Sequence, residues 1–282
     1  MTVEPRVARM ALATFLRARR ARVSPADVGL PAGGPRRTGG LRREEVAVLA
    51  GVSVTWYTWL EQGRRINASP AVLHGIARAL RLGPDETSHL CALAGGAART
   101  PAEVAVSPAL QDLVDSQYPA PAYLTDPRWD LLAWNRGAEA VWGFSAVPAA
   151  ERNIAWLVFH PFTRARLADW AAHGCRVVGE LRASSTALIA DPRFAAVLGR
   201  LRADHPEANR WWSAGEVRSR TGARKLFDHP VAGRLRLEEV VLWPASAPGC
   251  CLTVLIPTRD TDTDDRLVAL LPARTSVGPA DT

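Results

Sequence analysis

The stretch from Leu41 to Gly63 contains residues whose types and spacing suit contact with nucleic-acid bases. Helical spacing puts four small or flat side chains on one helix face, with no acidic residue among them: Val54, Thr55, Thr58 and Trp59. A threonine hydroxyl can hydrogen-bond a base edge or a phosphate, and a valine methyl group can pack on the methyl group of thymine. We predict that this face contacts double-stranded DNA. The alternative is the outer face of an ordinary helical hairpin in an all-α domain.

Residues of types that bind phosphate flank this face on both sides. One pair of arginines stands at the start of the first helix of the stretch, and a second pair follows the second helix, where the DNA backbone would run. A serine precedes the second helix, at the position that caps its backbone amides. The predicted phosphate contacts are Arg42, Arg43, Ser53, Arg64 and Arg65.

Positive charge is concentrated in the same part of the chain. Residues 1–100 carry 15 arginines against 7 acidic residues, whereas the remainder carries 20 basic and 21 acidic residues. A local excess of positive charge attracts a polyanion, and nucleic acid is the commonest one. Solubility alone would also explain a high isoelectric point, but clustering of the charge favours a polyanionic partner.

Five amphipathic helices are predicted to position these residues. Gly51 permits a sharp turn between the second and third helices, and Pro70 and Pro84 begin the fourth and fifth. A Gly/Pro-rich loop that carries Arg36 and Arg37 is expected after the first helix. The predicted helices cover residues 6–22, 42–50, 53–62, 69–82 and 84–95.

The block REEVAVLAGVS, followed by LEQGR, resembles the XRE-type helix-turn-helix of phage-repressor-like regulators. The matching positions are Glu45, Ala47, Gly51, Ser53, Leu60, Glu61 and Gly63. This resemblance implies a five-helix domain whose third helix enters the major groove, usually as a dimer on paired half-sites. It also implies that Val54, Thr55, Thr58 and Trp59 face the bases, while Arg43 and Arg64 contact the backbone.

The second half of the chain has a different pattern. A short helix is predicted at 108–117, followed by two strands around a turn at 126–128 and a helix capped by Asn135. Residues 151–218 are predicted to be largely helical, and strand-like runs follow at 223–244 and 250–258. This order predicts an α+β domain with an antiparallel sheet, which also fits a PAS-like cup around a ligand.

Aromatic residues are concentrated in this half, which holds eight of the ten tryptophans. As a set they indicate a roomy apolar interior, where a long-chain ligand would gain about 0.8 kcal/mol per buried CH₂ group. The alternative is that they only fill a core. His229 could anchor a ligand carboxylate or, alternatively, stabilise a turn. The predicted pocket residues are Trp134, Trp142, Trp156, Phe159, Trp212 and His229.

Three segments are similar to the MmyB-like ligand-binding domain: YPAPAYLTDPRWDLLAWNRGAEAVWG, DPRFAAVLGRLR and KLFDHPVAGRLRLEEVVL. This domain commonly follows an XRE-type motif in actinobacterial regulators. The resemblance implies a PAS-like domain with a fatty acid as a proposed type of ligand.

The predicted fold is therefore α+β overall, with an all-α five-helix domain followed by a PAS-like α+β domain. We place the XRE-type helix-turn-helix domain at 1–96 and a linker at 97–107. The ligand-binding or dimerisation domain then covers 108–272, and a tail covers 273–282.

The sequence contains no GxSxG, Walker, GxGxxG or HExxH motif, so we do not expect an enzyme. The four cysteines lack metal-site spacing, and we expect no cofactor other than a bound fatty acid or another apolar ligand. We see neither a secretory signal nor a transmembrane run, which predicts a cytoplasmic protein without membrane association.

We expect a transcriptional regulator that binds double-stranded DNA as a homodimer and senses a small apolar molecule. One alternative is a C-terminal half that binds a protein and no ligand. Another is an enzyme or a heme-type sensor attached to the DNA-binding domain.

Overall fold

The structure of the protein is a computed structural model that describes residues 5–31, 40–95, 104–188, 191–259 and 262–270. Most of the loop predicted to carry Arg36 and Arg37 lies outside these ranges. Residues 97–103 of the predicted linker and the whole predicted tail, 273–282, also lie outside them.

Five helices form the N-terminal part of the chain, and local capping contacts set where some of them begin. The Ser53 hydroxyl accepts a hydrogen bond from the Trp56 amide at 3.1 Å, and the Ser69 hydroxyl accepts one from the Val72 amide. The helices are α1 (Pro5–Arg22), α2 (Arg43–Ala50), α3 (Val54–Glu61), α4 (Pro70–Ala79) and α5 (Pro84–Gly95).

The apolar faces of these helices meet in one core. The fully buried side chains include Phe15, Leu16, Tyr57 and Ile76. Helix α4 approaches α2 closely at Gly75, where a Cβ atom would lie 2.9 Å from the carbonyl oxygen of Ala50. This glycine therefore sets the distance between the two helices.

The first two strands and their neighbouring helices follow. Asn135 ties them together, because its Oδ1 atom accepts hydrogen bonds from the amides of Ala138 and Ala122. The elements are α6 (Pro108–Ser116), β1 (Ala122–Thr125), β2 (Leu131–Trp134), α7 (Arg136–Trp142), α8 (Ile154–Phe159) and α9 (Pro161–Arg166).

Three further helices occupy the middle of the chain: α10 (Trp170–Leu188), α11 (Pro192–Asp204) and α12 (Pro206–Ala214). The carboxylate of Asp191 caps α11 by accepting from the Phe194 amide at 2.9 Å. Prolines occupy the first position of both α11 and α12, where no helical amide partner is required.

The last elements are β3 (Arg224–His229), β4 (Gly233–Leu242), β5 (Cys251–Pro257) and α13 (Thr263–Leu270). The described strands form one antiparallel sheet in the order β2-β1-β5-β4-β3. Strand β5 pairs with both β1 and β4, so the last strand joins the two strand pairs. The predicted fold class, an all-α region followed by an α+β domain with an antiparallel sheet, is confirmed.

The chain divides into two compact units. The first unit contains residues 1–102 and 171–220, so α1–α5 pack together with almost all of α10 and with α11 and α12. The second contains residues 103–170 and 221–282, which hold the sheet, α6–α9 and α13. Among the described helices, none combines the length and the apolar character needed to cross a bilayer.

His89 is a buried titratable residue of the first unit. Its ring lies edge-on to Phe15 at a centroid distance of 5.1 Å, and its Nδ1 atom lies 2.6 Å from the Thr186 hydroxyl of α10. Burial lowers the pKa of His89 to about 3, and the charges of Arg182 and Arg19 act in the same direction.

We expect the stability of the protein to fall as the pH drops below 6.5, the ordinary pKa of histidine. Between that pH and about 3, the unfolded chain binds a proton at His89 that the folded chain does not bind. The free energy of unfolding should change by up to about 1.4 kcal/mol per pH unit, and His89→Gln should remove this contribution. Urea unfolding of both proteins at neutral and mildly acidic pH measures the slope. Equal slopes would contradict the assignment.

Candidate nucleic-acid interface

The turn between α2 and α3 begins at a glycine in a left-handed conformation. Gly51 has φ 70°, a region that a residue with a Cβ atom adopts only at a cost. The Gly51 amide donates to the Val48 carbonyl at 3.2 Å, and the Val52 amide donates to the Ala47 carbonyl at 2.9 Å. These bonds end α2 sharply, so that α3 starts in a new direction after only three residues.

Helix α3 has one buried face and one open face. Tyr57 and Leu60 are buried against α1 and α2, as their spacing predicts. On the other face Val54 and Trp59 are 38% and 39% exposed, Thr55 is exposed and Thr58 is half-buried. The predicted base-facing residues therefore lie together on the solvent side of α3.

The predicted phosphate contacts also lie on the surface. Ser53 and all four arginines of the set are exposed: Arg42, Arg43, Arg64 and Arg65. The Cζ atom of Arg64 lies 5.6 Å from the centroid of the Trp59 ring, a cation–π contact that restrains the guanidinium beside the open face. The Ser53 oxygen accepts from the Trp56 amide, which leaves its hydroxyl group as a donor towards a phosphate oxygen.

A buried carboxylate lies directly behind this face. The Glu61 side chain is fully buried, and its two oxygens accept hydrogen bonds from Arg20 Nε at 2.6 Å and from Arg43 Nε at 2.7 Å. Burial disfavours a charged carboxylate, but the hydrogen bonds from Arg20 and Arg43 outweigh it and lower the pKa of Glu61. The carboxylate therefore stays charged and holds α1, α2 and α3 together.

Arginines of α1 fix the backbone at both ends of the helix pair. Arg17 Nη1 donates to the Glu61 carbonyl at 2.9 Å, and Arg20 Nη1 donates to the Leu41 carbonyl at 2.8 Å. In the sequence, Glu61 matches a family motif, and no role was predicted for it. Its position four residues after Tyr57, on the buried face of α3, was the signal that could have identified it.

This arrangement combines an exposed helix face with two restrained arginines, Arg43 and Arg64. Arg43 contributes to both functions, because one nitrogen pairs with Glu61 while 44% of the side chain remains exposed. The rest of its guanidinium can reach a phosphate. Such a surface can bind duplex DNA without first ordering its own helices.

A separate aromatic cluster lies in the second unit. The Trp142 ring stacks on Phe144 with a centroid distance of 5.6 Å, and Trp134 meets Phe144 edge-on at 5.8 Å. Trp142 also contacts Phe227 of β3 at 6.0 Å. Two of the predicted pocket residues, Trp134 and Trp142, are therefore joined through a shared aromatic neighbour, Phe144.

The other predicted pocket aromatics have different neighbours. Phe159 is buried and pairs edge-on with Trp170 at 5.4 Å, while Trp156 is half-buried on α8. Trp212 belongs to the first unit, where its ring lies 4.1 Å from the Cζ atom of Arg182. Trp212 therefore lies in a different compact unit from the other predicted pocket aromatics, a division that sequence spacing did not indicate.

His229 ends β3 and stabilises the turn that leads into β4. Its Nδ1 atom accepts hydrogen bonds from the Val231 amide at 3.2 Å and the Ala232 amide at 3.1 Å. Burial lowers its pKa, whereas a hydrogen bond to the backbone of Ala140 favours the charged form. His229 thus has a turn-stabilising role, the predicted alternative to binding a ligand carboxylate.

Comparisons with known families match both parts of the chain. Residues 106–271 match the model of the MmyB-like transcription regulator ligand binding domain. Residues 11–90 match the model of a helix-turn-helix domain. No curated protein matches the chain.

We expect Glu61→Gln to destabilise the protein by about 3 kcal/mol, because it leaves the half-buried Arg20 without its counter-charge. Glu44→Gln, at an exposed position of α2, is the matched control and should change stability by less than about 0.5 kcal/mol. Urea unfolding at neutral pH measures both. If the two variants proved equally stable, the buried carboxylate would not hold the helices together.

Proposed function

The chain belongs to the family of MmyB-like transcription regulators, and we propose that it binds specific DNA sequences and senses a small apolar molecule. Its helix-turn-helix domain and its ligand-binding domain make it a transcription regulator. We also propose which residues contact the bases, what kind of ligand binds, and that the protein binds DNA as a homodimer.

The observation that carries the DNA-binding proposal is the open face of α3 between two pairs of exposed arginines. Val54, Thr55 and Thr58 provide methyl and hydroxyl groups for base edges, and Trp59 extends the apolar part of the face. The phosphate contacts are Arg42, Arg43, Ser53, Arg64 and Arg65. We further propose that two chains bind paired half-sites, because one α3 covers only one half-site.

We expect two single substitutions to affect DNA binding differently. Arg43→Ala should weaken binding to all duplexes alike and reduce the salt dependence by about one phosphate contact. Thr55→Ala should change the sequence preference, with a loss of about 1–3 kcal/mol at one base position. Fluorescence anisotropy titrations at several salt concentrations measure both effects, using duplexes from the chain's own promoter and scrambled versions of them.

Arg65→Ala is the companion variant to Arg43→Ala, because it removes a proposed phosphate contact and leaves the Arg43–Glu61 ion pair intact. It should also weaken binding to all duplexes, whereas a loss seen for Arg43→Ala alone would trace to the broken ion pair. Equal affinity of the native protein for all duplexes would refute specific regulation. A change in preference alone for Arg43→Ala would reverse the assigned roles. The same titrations give the stoichiometry, and one chain per operator would contradict the homodimer.

The ligand proposal is supported by the family match and by the aromatic cluster around Trp142. Its rings lie beside an antiparallel sheet, and an acyl chain against such surfaces gains about 0.8 kcal/mol per buried CH₂ group. We propose a fatty acid or another long-chain apolar molecule as the ligand. No resident cofactor and no catalytic group form part of this proposal.

We expect an apolar small molecule to co-purify with the protein, and Trp142→Ala to reduce its amount several-fold by removing an aromatic wall. Trp243→Ala, an exposed tryptophan after β4, is the matched control and should leave the amount unchanged. Mass spectrometry of solvent extracts measures this. If no such molecule is recovered and palmitate does not raise the melting temperature, the C-terminal half binds a protein partner instead.

A further inference from the structure

Three arginines bind the C-terminal end of α12. The last carbonyl groups of a helix have no partner within it and carry the negative end of the helix dipole, so cations are stabilising there. Arg22 Nη1 donates to the Ala214 carbonyl at 3.0 Å. Arg19 donates to the Gly215 carbonyl, and Arg182 donates to the Trp212 carbonyl. We call Arg19, Arg22 and Arg182 the capping arginines.

Two of the capping arginines are buried. Arg19 is 6% exposed and forms an ion pair with Glu86 of α5 at 2.7 Å, and Arg182 is 8% exposed and stacks on the Trp212 ring. Burial lowers the pKa of Arg182 to about 10, and the charges of Arg19 and Arg202 add to this effect. A buried guanidinium is costly without hydrogen-bond partners, and the Gly215 and Trp212 carbonyls at the end of α12 offset part of that cost for Arg19 and Arg182.

The residues after α12 continue along α5. The Ser219 amide and hydroxyl both donate to the Asp85 carboxylate, at 2.8 and 2.6 Å. Val217 is buried in the apolar core that α1–α5 form, and Ala183 of α10 packs against the same core. Polar and apolar contacts therefore fasten the α10–α12 helices to both α1 and α5.

Helix α1 connects this contact to the DNA-binding face. Arg19 and Arg22 are three residues apart and hold α12, whereas Arg17 and Arg20 are three residues apart and hold Glu61 of α3. The last turns of α1 thus form hydrogen bonds with α12 on one face and with α3 on another. A shift of α1 that breaks its bonds to α12 must therefore also alter its bonds to α3.

The α10–α12 helices belong to the family's ligand-binding region, residues 106–271, although they pack with α1–α5. Helix α10 begins at Trp170, which pairs with Phe159 and whose Nε1 donates to the Val158 carbonyl at 2.8 Å. The covalent chain therefore leads from the second unit directly into these helices.

We propose that docking of the arginine-capped end of α12 onto α1 is the coupling element of this regulator. Docked α12 holds α1, and through α1 it holds α3 in the position that binds the operator. Release of α12 weakens operator binding. This inference rests on the proposed function and adds the route by which the ligand-binding region acts on DNA.

The test uses the full chain with Arg22→Ala and Ser219→Ala combined. Both side chains are exposed, so the buried capping arginines remain and the fold is kept. We expect amide hydrogen exchange at residues 212–219 to rise at least tenfold, because local opening of α12 becomes easier. The control is Arg200→Ala on α11, which removes an exposed ion pair with Asp204 and should leave this exchange unchanged. Unchanged exchange in the double variant would overturn the docking.

The second arm adds operator duplex. Because coupling is reciprocal, duplex should slow exchange at residues 212–219 several-fold in the native chain, and the double variant should bind the duplex about tenfold more weakly. Raised exchange with unchanged operator affinity would overturn the coupling while leaving the docking intact.

A native chain that binds all duplexes equally would overturn the proposed function, and the coupling with it. In that case the exchange measured without DNA would still decide whether α12 is docked on α1.

Discussion

The DNA-binding region of this protein depends on one buried charge. The carboxylate of Glu61 lies in the interior between guanidinium groups from α1 and α2, and it has few geometries in which its desolvation is compensated. Apolar packing alone would let α3 slide or rotate by small amounts at little cost. A carboxylate bound by Arg20 and Arg43 does not allow such movements. The buried ion pairs therefore fix the direction in which the exposed face of α3 points. Specific recognition requires such a fixed direction, because hydrogen bonds to base edges are sensitive to small displacements.

Arginine serves two purposes in the first hundred residues, and net charge does not separate them. Several of the 15 arginines are exposed beside α3, whereas Arg19 and Arg20 form ion pairs with Glu86 and Glu61 inside the fold. The charge available to a polyanion is therefore smaller than the formal excess. Arginine suits the internal role because its planar guanidinium binds a carboxylate and a carbonyl at the same time, as Arg20 does with Glu61 and Leu41.

The sequence predicted those features whose causes are local. Gly51 and Ser53 determine where α2 ends and α3 begins, so these two helices were predicted to within one or two residues. The strand-like run predicted at 223–244 contains two strands, β3 and β4, because the chain turns between His229 and Gly233. The placement of α10–α12 was not predicted, because an amphipathic helix shows which face is buried and not against what. For the same reason a count of tryptophans could not separate Trp212, in the first unit, from Trp142, in the second. The base contacts and the ligand pocket remain predictions that binding experiments must decide.

The packing of α10–α12 on α1 and α5 has a consequence for modularity. A DNA-binding domain that ended near residue 95 would leave uncovered the apolar surface that Val217 and Ala183 now protect, and it would leave Arg19 without the Gly215 carbonyl. The two parts of this chain are therefore poor candidates for independent shuffling between proteins. A helix-turn-helix domain joined to a different sensory domain would need that domain to supply helices that pack on α1 as α10–α12 do here. Changes at the end of α12 and on the facing side of α1 should accordingly be acquired as matched pairs during the divergence of such regulators.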